Sequence, residues 1–404
     1  MRVTMNTSSA GLPRPDRTIA LVVFSGIVAL IVSMGIGRFA FTPLLPLMLR
    51  DGTVSVATGA EWAAANYAGY LVGALTAARF ASKARRGMQL AMAGVAVTTV
   101  AVVAVGGEDT AWLGAVLRAA SGVFSAWVLV CMSSWGLAEL ARRQVAHLGA
   151  WIFTGVGIGI MMAGLLAWLG GMQPARWLWL EMGLLAVAGA ALVQVSSMKV
   201  SSTSSSVAAS AAAIRQSNPG SGGQLPFVVC YGTFGFGYIV PATFLPAMAR
   251  QQVSDPLVFG LAWPLFGLAA ALSVVAAARW LSAWPRRRVW ALAQACMALG
   301  TALPLVSHAM WSLSASAVLV GGTFMVATMA GMQWARERSP ADPTRLLARM
   351  TVAFAVGQIV GPLVVRALGT ATWAGWDALA WASALATLLL IITAAWLWRD
   401  ADAP

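Results

Sequence analysis

Apolar residues along this chain gather into twelve long runs, separated by short stretches in which Arg, Gly, Pro and Ser dominate. The runs fall at about 19–48, 57–80, 88–105, 111–135, 148–169 and 175–196, and again at about 225–249, 256–280, 289–307, 311–335, 349–369 and 374–398. A helix needs roughly 20 apolar residues to cross a bilayer, so each run predicts one transmembrane helix. The sixth and seventh runs are divided by a Ser, Ala and Gly stretch, too polar and too small in side chain to bury anything. The predicted organisation is a cytoplasmic amino tail (1–18), a first six-helix bundle (19–196), a cytoplasmic linker (197–224), a second six-helix bundle (225–398) and a short cytoplasmic tail (399–404). No convincing small-x-small cleavage site follows a short hydrophobic core near the start, so the first helix is expected to remain in the protein.

Composition supports the same all-α membrane class. Of the 404 residues, 59% are hydrophobic and only 10% charged, and the mean hydropathy is +0.78, which a water-soluble fold cannot hide. A net charge of +13 raises the question of nucleic acid, but the placement of the basic residues answers it. With both termini inside, twenty of the 26 Lys and Arg fall on the cytoplasmic side, against Arg50, Arg176, Arg250 and Arg366 on the other. That is the retention pattern of cytoplasmic loops, and it fits a multi-pass protein of a bacterial inner membrane. Cys131, Cys230 and Cys296 lie far apart inside apolar runs and read as small core residues. His147 and His308 stand alone near run ends, so no metal site is expected. With no HExxH, GxSxG or GxxxxGK pattern, neither an enzyme nor an ATP-driven pump has a foothold, and no cofactor is implied.

The chain also resembles itself at an offset of 200 residues. Gly35, Gly37, Leu45, Pro46, Met48 and Arg50 match Gly235, Gly237, Leu245, Pro246, Met248 and Arg250, and Arg79 and Arg86 match Arg279 and Arg286 in the same register. Such parallel repeats are one of the ways transporter folds are built.

The segment GIGRFAFTPLLPLM, Gly35 to Met48, resembles the first-helix signature of the YbfB/YjiJ-type group of the major facilitator superfamily, and GQIVGP, Gly357 to Pro362, resembles that group's eleventh-helix segment. RAASG, Arg118 to Gly122, is similar to the superfamily's fourth-helix R-x-x-x-G. The resemblance implies two bundles around a central cavity that opens alternately to each side, and it leans toward efflux. Two marks depart from the pattern: the loop after helix two has no Asp, and helix five lacks the Pro typical of drug antiporters.

Transport needs a mid-membrane site and a charge rather than covalent chemistry. An in-span Arg is costly unless it faces a wet cavity or a partner, which singles out Arg38 and Arg118. Arg38 follows a Gly-x-Gly and precedes Pro43 and Pro46, where the helix can kink; its guanidinium can hold a carboxylate or phosphate, or it can serve as structural glue. Asn66, Tyr67 and Tyr70 on helix two, Tyr231 and Tyr238 on helix seven, Trp263 on helix eight and Gln358 on helix eleven complete the candidate solute site, with interhelical bonding as the alternative role for each. Tyr238 occupies the repeat position of Arg38. Glu181 is the obvious in-span carboxylate and the candidate for carrying a proton. Most of the other Trp residues sit near run ends, as interfacial anchors. Gly69 and Gly73, Gly155 and Gly159, and Gly357 and Gly361 are small-xxx-small pairs that predict close helix approach; the resemblance implies that helix two faces helix eleven and helix five faces helix eight, which would set these close contacts across the two halves.

The expected function is secondary transport of a small anionic or carboxylate-bearing organic solute by a monomer in the lipid bilayer, with protons as the coupling ion. The alternative is a sensor or scaffold that binds without transporting; the absence of an appended signalling domain argues against it.

Overall fold

A computed structural model describes residues 17–145, 148–200, 224–252, 260–281, 283–307, 309–338, 344–369 and 372–399, and among the described residues twelve long helices dominate. His147, His308, both tails and most of the linker lie outside the described residues. In chain order the helices are α1 (Arg17–Arg50), α2 (Val56–Thr76), α3 (Ala84–Ala101), α4 (Ala111–Met132), α5 (Gly149–Leu169) and α6 (Ala175–Met198), then α7 (Leu225–Gln252), α8 (Ala262–Trp280), α9 (Arg286–Val306), α10 (Met310–Arg338), α11 (Thr344–Leu368) and α12 (Ala378–Arg399). Eleven of them are long and apolar enough to span a membrane. The exception is α2: its 21 residues suffice in length, but Glu61, Asn66, Tyr67 and Tyr70 make it more polar than the others.

Helices α1 to α6 pack chiefly on one another, as do α7 to α12, and the two groups meet where α5 lies on α8, α2 on α11 and the far end of α1 on α7. Within the first group, α1 approaches α5 so closely that a Cβ on Gly35 would stand 2.4 Å from the Gly159 Cα. Only glycine permits that backbone contact. The three glycine pairs expected at contacts between halves all lie against helices of their own half. Gly69 and Gly73 abut Ala119 and Val123 of α4, Gly155 and Gly159 abut α1, and Gly357 and Gly361 abut α7. The α5 and α8 crossing instead uses Gly157 and Gly267, each of which would thrust a Cβ into the other helix's backbone. Spacing alone identified these glycines as small faces without saying which neighbour each face would meet.

The middle of α1 is not regular. Ile31–Phe39 is a π-helical stretch, wholly buried from Val32 to Phe39, and Pro43 and Pro46 follow it without N–H donors. Both features release carbonyls from the helical ladder. Gly37 O accepts from Ser121 Oγ (2.8 Å) and Arg118 Nη1 (2.9 Å), Arg38 O accepts from Arg118 Nη2 (2.9 Å), and Ser33 O accepts from Ser125 Oγ (2.8 Å). Helix α4 thus holds the irregular part of α1 in place with polar side chains, which satisfies groups that lipid could not. At the end of α1, Arg50 bonds Asp51 (2.8 Å), and the Asp51 carboxylate accepts the Ala175 N–H (2.6 Å) at the first turn of α6, a favourable place for an anion.

Candidate functional site

Arg38 points from the π-helical stretch of α1 into a box of side chains drawn from both halves, and is only 4% exposed. Its Nη2 donates to Gln358 Oε1 on α11, and Gln358 Nε2 donates to Tyr238 Oη on α7. The guanidinium carbon lies 4.0 Å from the centre of the Tyr70 ring and 5.3 Å and 5.4 Å from those of Phe39 and Tyr67, close enough for cation–π attraction. Its Nε is buried without a partner. Among the described residues neither Arg38 nor Arg118 forms an ion pair with a carboxylate.

The second half supplies an aromatic wall. The Tyr238 ring lies between Phe324 (5.4 Å, 6°) and Phe354 (5.6 Å, 6°). Trp263 stacks on Phe266 at 4.8 Å, meets Phe39 of the first half at 6.3 Å, and keeps its indole N–H buried and unpartnered. Tyr231 joins the wall through Phe234 and Phe354, and its hydroxyl donates to Thr328 O (3.3 Å).

Of the residues chosen from sequence, Arg38, Tyr67, Tyr70, Tyr238 and Gln358 therefore come together, with Trp263 and Tyr231 reached through intervening rings. Asn66 and Arg118 do a different job nearby. Asn66 Nδ2 donates to Arg118 O (2.8 Å) and more distantly to Gly37 O (3.4 Å), while both Arg118 Nη atoms are taken by carbonyls of α1. Glu181 on α6 is half-buried and neither bonds nor ion-pairs with any member of the Arg38 box.

Sequence reasoning missed three ties between the halves. Tyr67 Oη bonds Thr243 Oγ1 (3.0 Å), Thr42 Oγ1 donates to Ala242 O (3.1 Å), and Glu61 on α2 pairs with Arg366 on α11 (2.7 Å). Thr42 and Ala242 are 200 residues apart, so that bond joins equivalent points of the two copies; the repeat register carried the signal. Glu61 falls inside the second apolar run, where a second in-span acid could have been noticed beside Glu181. All three ties lie toward one side of the molecule, where α1, α7 and α11 end and α2 begins.

Residues 30–396 match the family described as "Uncharacterised MFS-type transporter YbfB". No curated protein matches the sequence significantly. Solved structures of the same fold include the D-xylose-proton symporter (TM-score 0.72, 12% identity, 95% of this chain and 98% of that one covered). They also include the nucleoside transporter NupG (0.68, 15%, 96% and 100%) and a mutant of it (0.71, 14%, 94% and 99%). At such identities the likeness speaks for the fold alone.

Proposed function

The chain belongs to the major facilitator family described as the YbfB-type transporter, a family of multi-pass secondary transporters, and from that premise we propose that it moves a small anionic or carboxylate-bearing organic solute by alternating access. The observation that carries this reading is Arg38: a buried guanidinium, held in place by Gln358 and Tyr70, with no carboxylate among the described residues to balance it. A buried charge without a counterion is costly. A solute carboxylate arriving at the site would supply the missing partner, in the two-pronged geometry that guanidinium favours.

The polar inventory supports a compact anion over a polyol. Gln358 is committed to Arg38 and Tyr238, Tyr67 to Thr243, and Asn66 to backbone carbonyls. Among the described residues, the buried side-chain atoms around the site without a partner are three donors, Arg38 Nε, Arg118 Nε and the Trp263 indole N–H, against one acceptor, Asn66 Oδ1. A nucleoside or a sugar, the cargo named for the structural neighbours, would find few groups here for its hydroxyls.

The same reading takes twelve spans in two bundles, 19–196 and 225–398, with both termini in the cytoplasm of a bacterial inner membrane, acting as a monomer. The polarity of α2 follows from its role, since Tyr67 and Tyr70 pack on the Arg38 guanidinium and Asn66 bonds the backbone carbonyls beside it. Protons are the proposed coupling ion with Glu181 as their carrier, and efflux the proposed direction.

The test is flux of organic anions in proteoliposomes holding the purified chain, with and without a pH gradient. Wild type is expected to transport, and Arg38→Ala to lose transport while inserting and eluting normally. A charge-assisted hydrogen bond is worth about 1.5–3 kcal/mol, so solute binding should weaken roughly ten- to hundredfold. Normal transport by Arg38→Ala would reject the site, and binding without flux would favour a sensor.

A further inference from the structure

On the outer surface, sharing no residue with the Arg38 box, α9 and α12 enclose an apolar groove of about 470 Å³. On α9 it is floored by Ala291, Ala295, Ala298 and Ala302, a spacing of three and four that reduces one helix face to methyl groups. The exposed side chains of Leu299 and Ile391 form its rims. On a membrane-spanning surface a groove of this kind faces acyl chains rather than water. From Ala291 to Ala302 the helix advances about 16 Å, much of the depth of one leaflet.

The two ends differ. Trp398 closes one of them, and the Arg288 guanidinium carbon lies 6.0 Å from the centre of its ring. Arg288 stands one turn before Ala291 and Leu292 on the same helical face, and Arg399 stands one turn beyond Ala395, another lining residue. One end therefore gathers two cations and an amphipathic indole at the level where Trp and Arg meet headgroups; the remainder offers only apolar contact and the Thr387 side chain. This is the polarity of a phospholipid with a net negative headgroup.

We propose that the groove between α9 and α12 is a specific site for one anionic phospholipid, its acyl chain along the alanine face and its phosphate between Arg288 and Arg399 beside Trp398. The site is separate from solute transport and stands whatever the solute is. A basic residue near an anionic lipid surface contributes roughly fivefold in affinity, so two select a net negative headgroup over a zwitterionic one by on the order of tenfold or more.

The test is native mass spectrometry of the full-length chain in detergent, with phosphatidylglycerol or phosphatidylcholine of identical acyl chains. One phosphatidylglycerol should stay bound under conditions that strip phosphatidylcholine, and the Arg288→Gln, Arg399→Gln double variant should lose that preference by on the order of tenfold. Ala295 is exposed, so Ala295→Phe should fill the groove without entering the core, and should reduce retention with an unchanged melting temperature. Equal retention of the two lipids, undiminished phosphatidylglycerol binding by the double Gln variant, or full displacement by inorganic phosphate would each overturn the proposal.

Discussion

Arg38 and Arg118 are both arginines buried in spans, yet their surroundings assign them opposite consequences on removal. Arg118 spends its fork on two carbonyls that the π-helical stretch of α1 releases. Arg118→Ala leaves Arg38 O without that donor, and an orphaned buried acceptor costs about 1–3 kcal/mol. We therefore expect Arg118→Ala to lower the melting temperature in detergent by several degrees, with transport lost along with stability. Arg38→Ala deletes an uncompensated buried cation. That gain offsets the loss of the Gln358 bond, so its melting temperature should stay close to that of wild type while transport is lost. A drop for Arg38→Ala as large as that for Arg118→Ala would place both in the scaffold. Sequence made both residues visible because charge inside an apolar run is conspicuous. It could not separate them, since the distinction lies in carbonyls freed by an irregular helix and in Gln358, 320 positions away.

Among helices, the ties Tyr67 to Thr243, Thr42 to Ala242 and Glu61 to Arg366 hold the halves together toward a single side, so alternating access requires that they part. The ion pair is the easiest to remove, because Glu61 and Arg366 keep side-chain exposures of 42% and 50%. An exposed pair is worth about 0.2–1 kcal/mol, so Glu61→Gln should shift the balance toward the parted state by no more than about fivefold. The measurement is disulfide cross-linking of Thr42→Cys to Ala242→Cys in a background where Cys131, Cys230 and Cys296 are replaced. Cross-linking should slow in the Glu61→Gln variant, and an unchanged rate would show that the pair bears no part of the closure. Apolar periodicity located the elements that carry these ties. Their partners were less legible, because a small face such as Gly69 and Gly73 suits a neighbour in the same half as well as one across the interface; here α4 takes it.

At the scale of the whole molecule the number of spans turns on α2, and that number decides sidedness. Eleven spans place the termini on opposite sides of the membrane, and twelve place them together. By hydropathy α2 is the weak member, yet it packs on α4 and α11 like its neighbours, and its polar residues Asn66 and Tyr67 find partners inside the protein. A span whose polar groups are satisfied by other helices needs less intrinsic hydrophobicity, and the basic cluster Arg79, Lys83, Arg85 and Arg86 just beyond α2 favours keeping that end in the cytoplasm. Green fluorescent protein fused after Pro404 should therefore fluoresce, as it does only on the cytoplasmic side. Alkaline phosphatase fused within the 51–55 loop should be active, and fused after Arg86 inactive. Activity at both phosphatase positions would mean that α2 does not cross. Neutralising the four basic residues should raise activity at the second position while leaving the first unchanged, because the orientation of α1 is set by the basic residues that precede it.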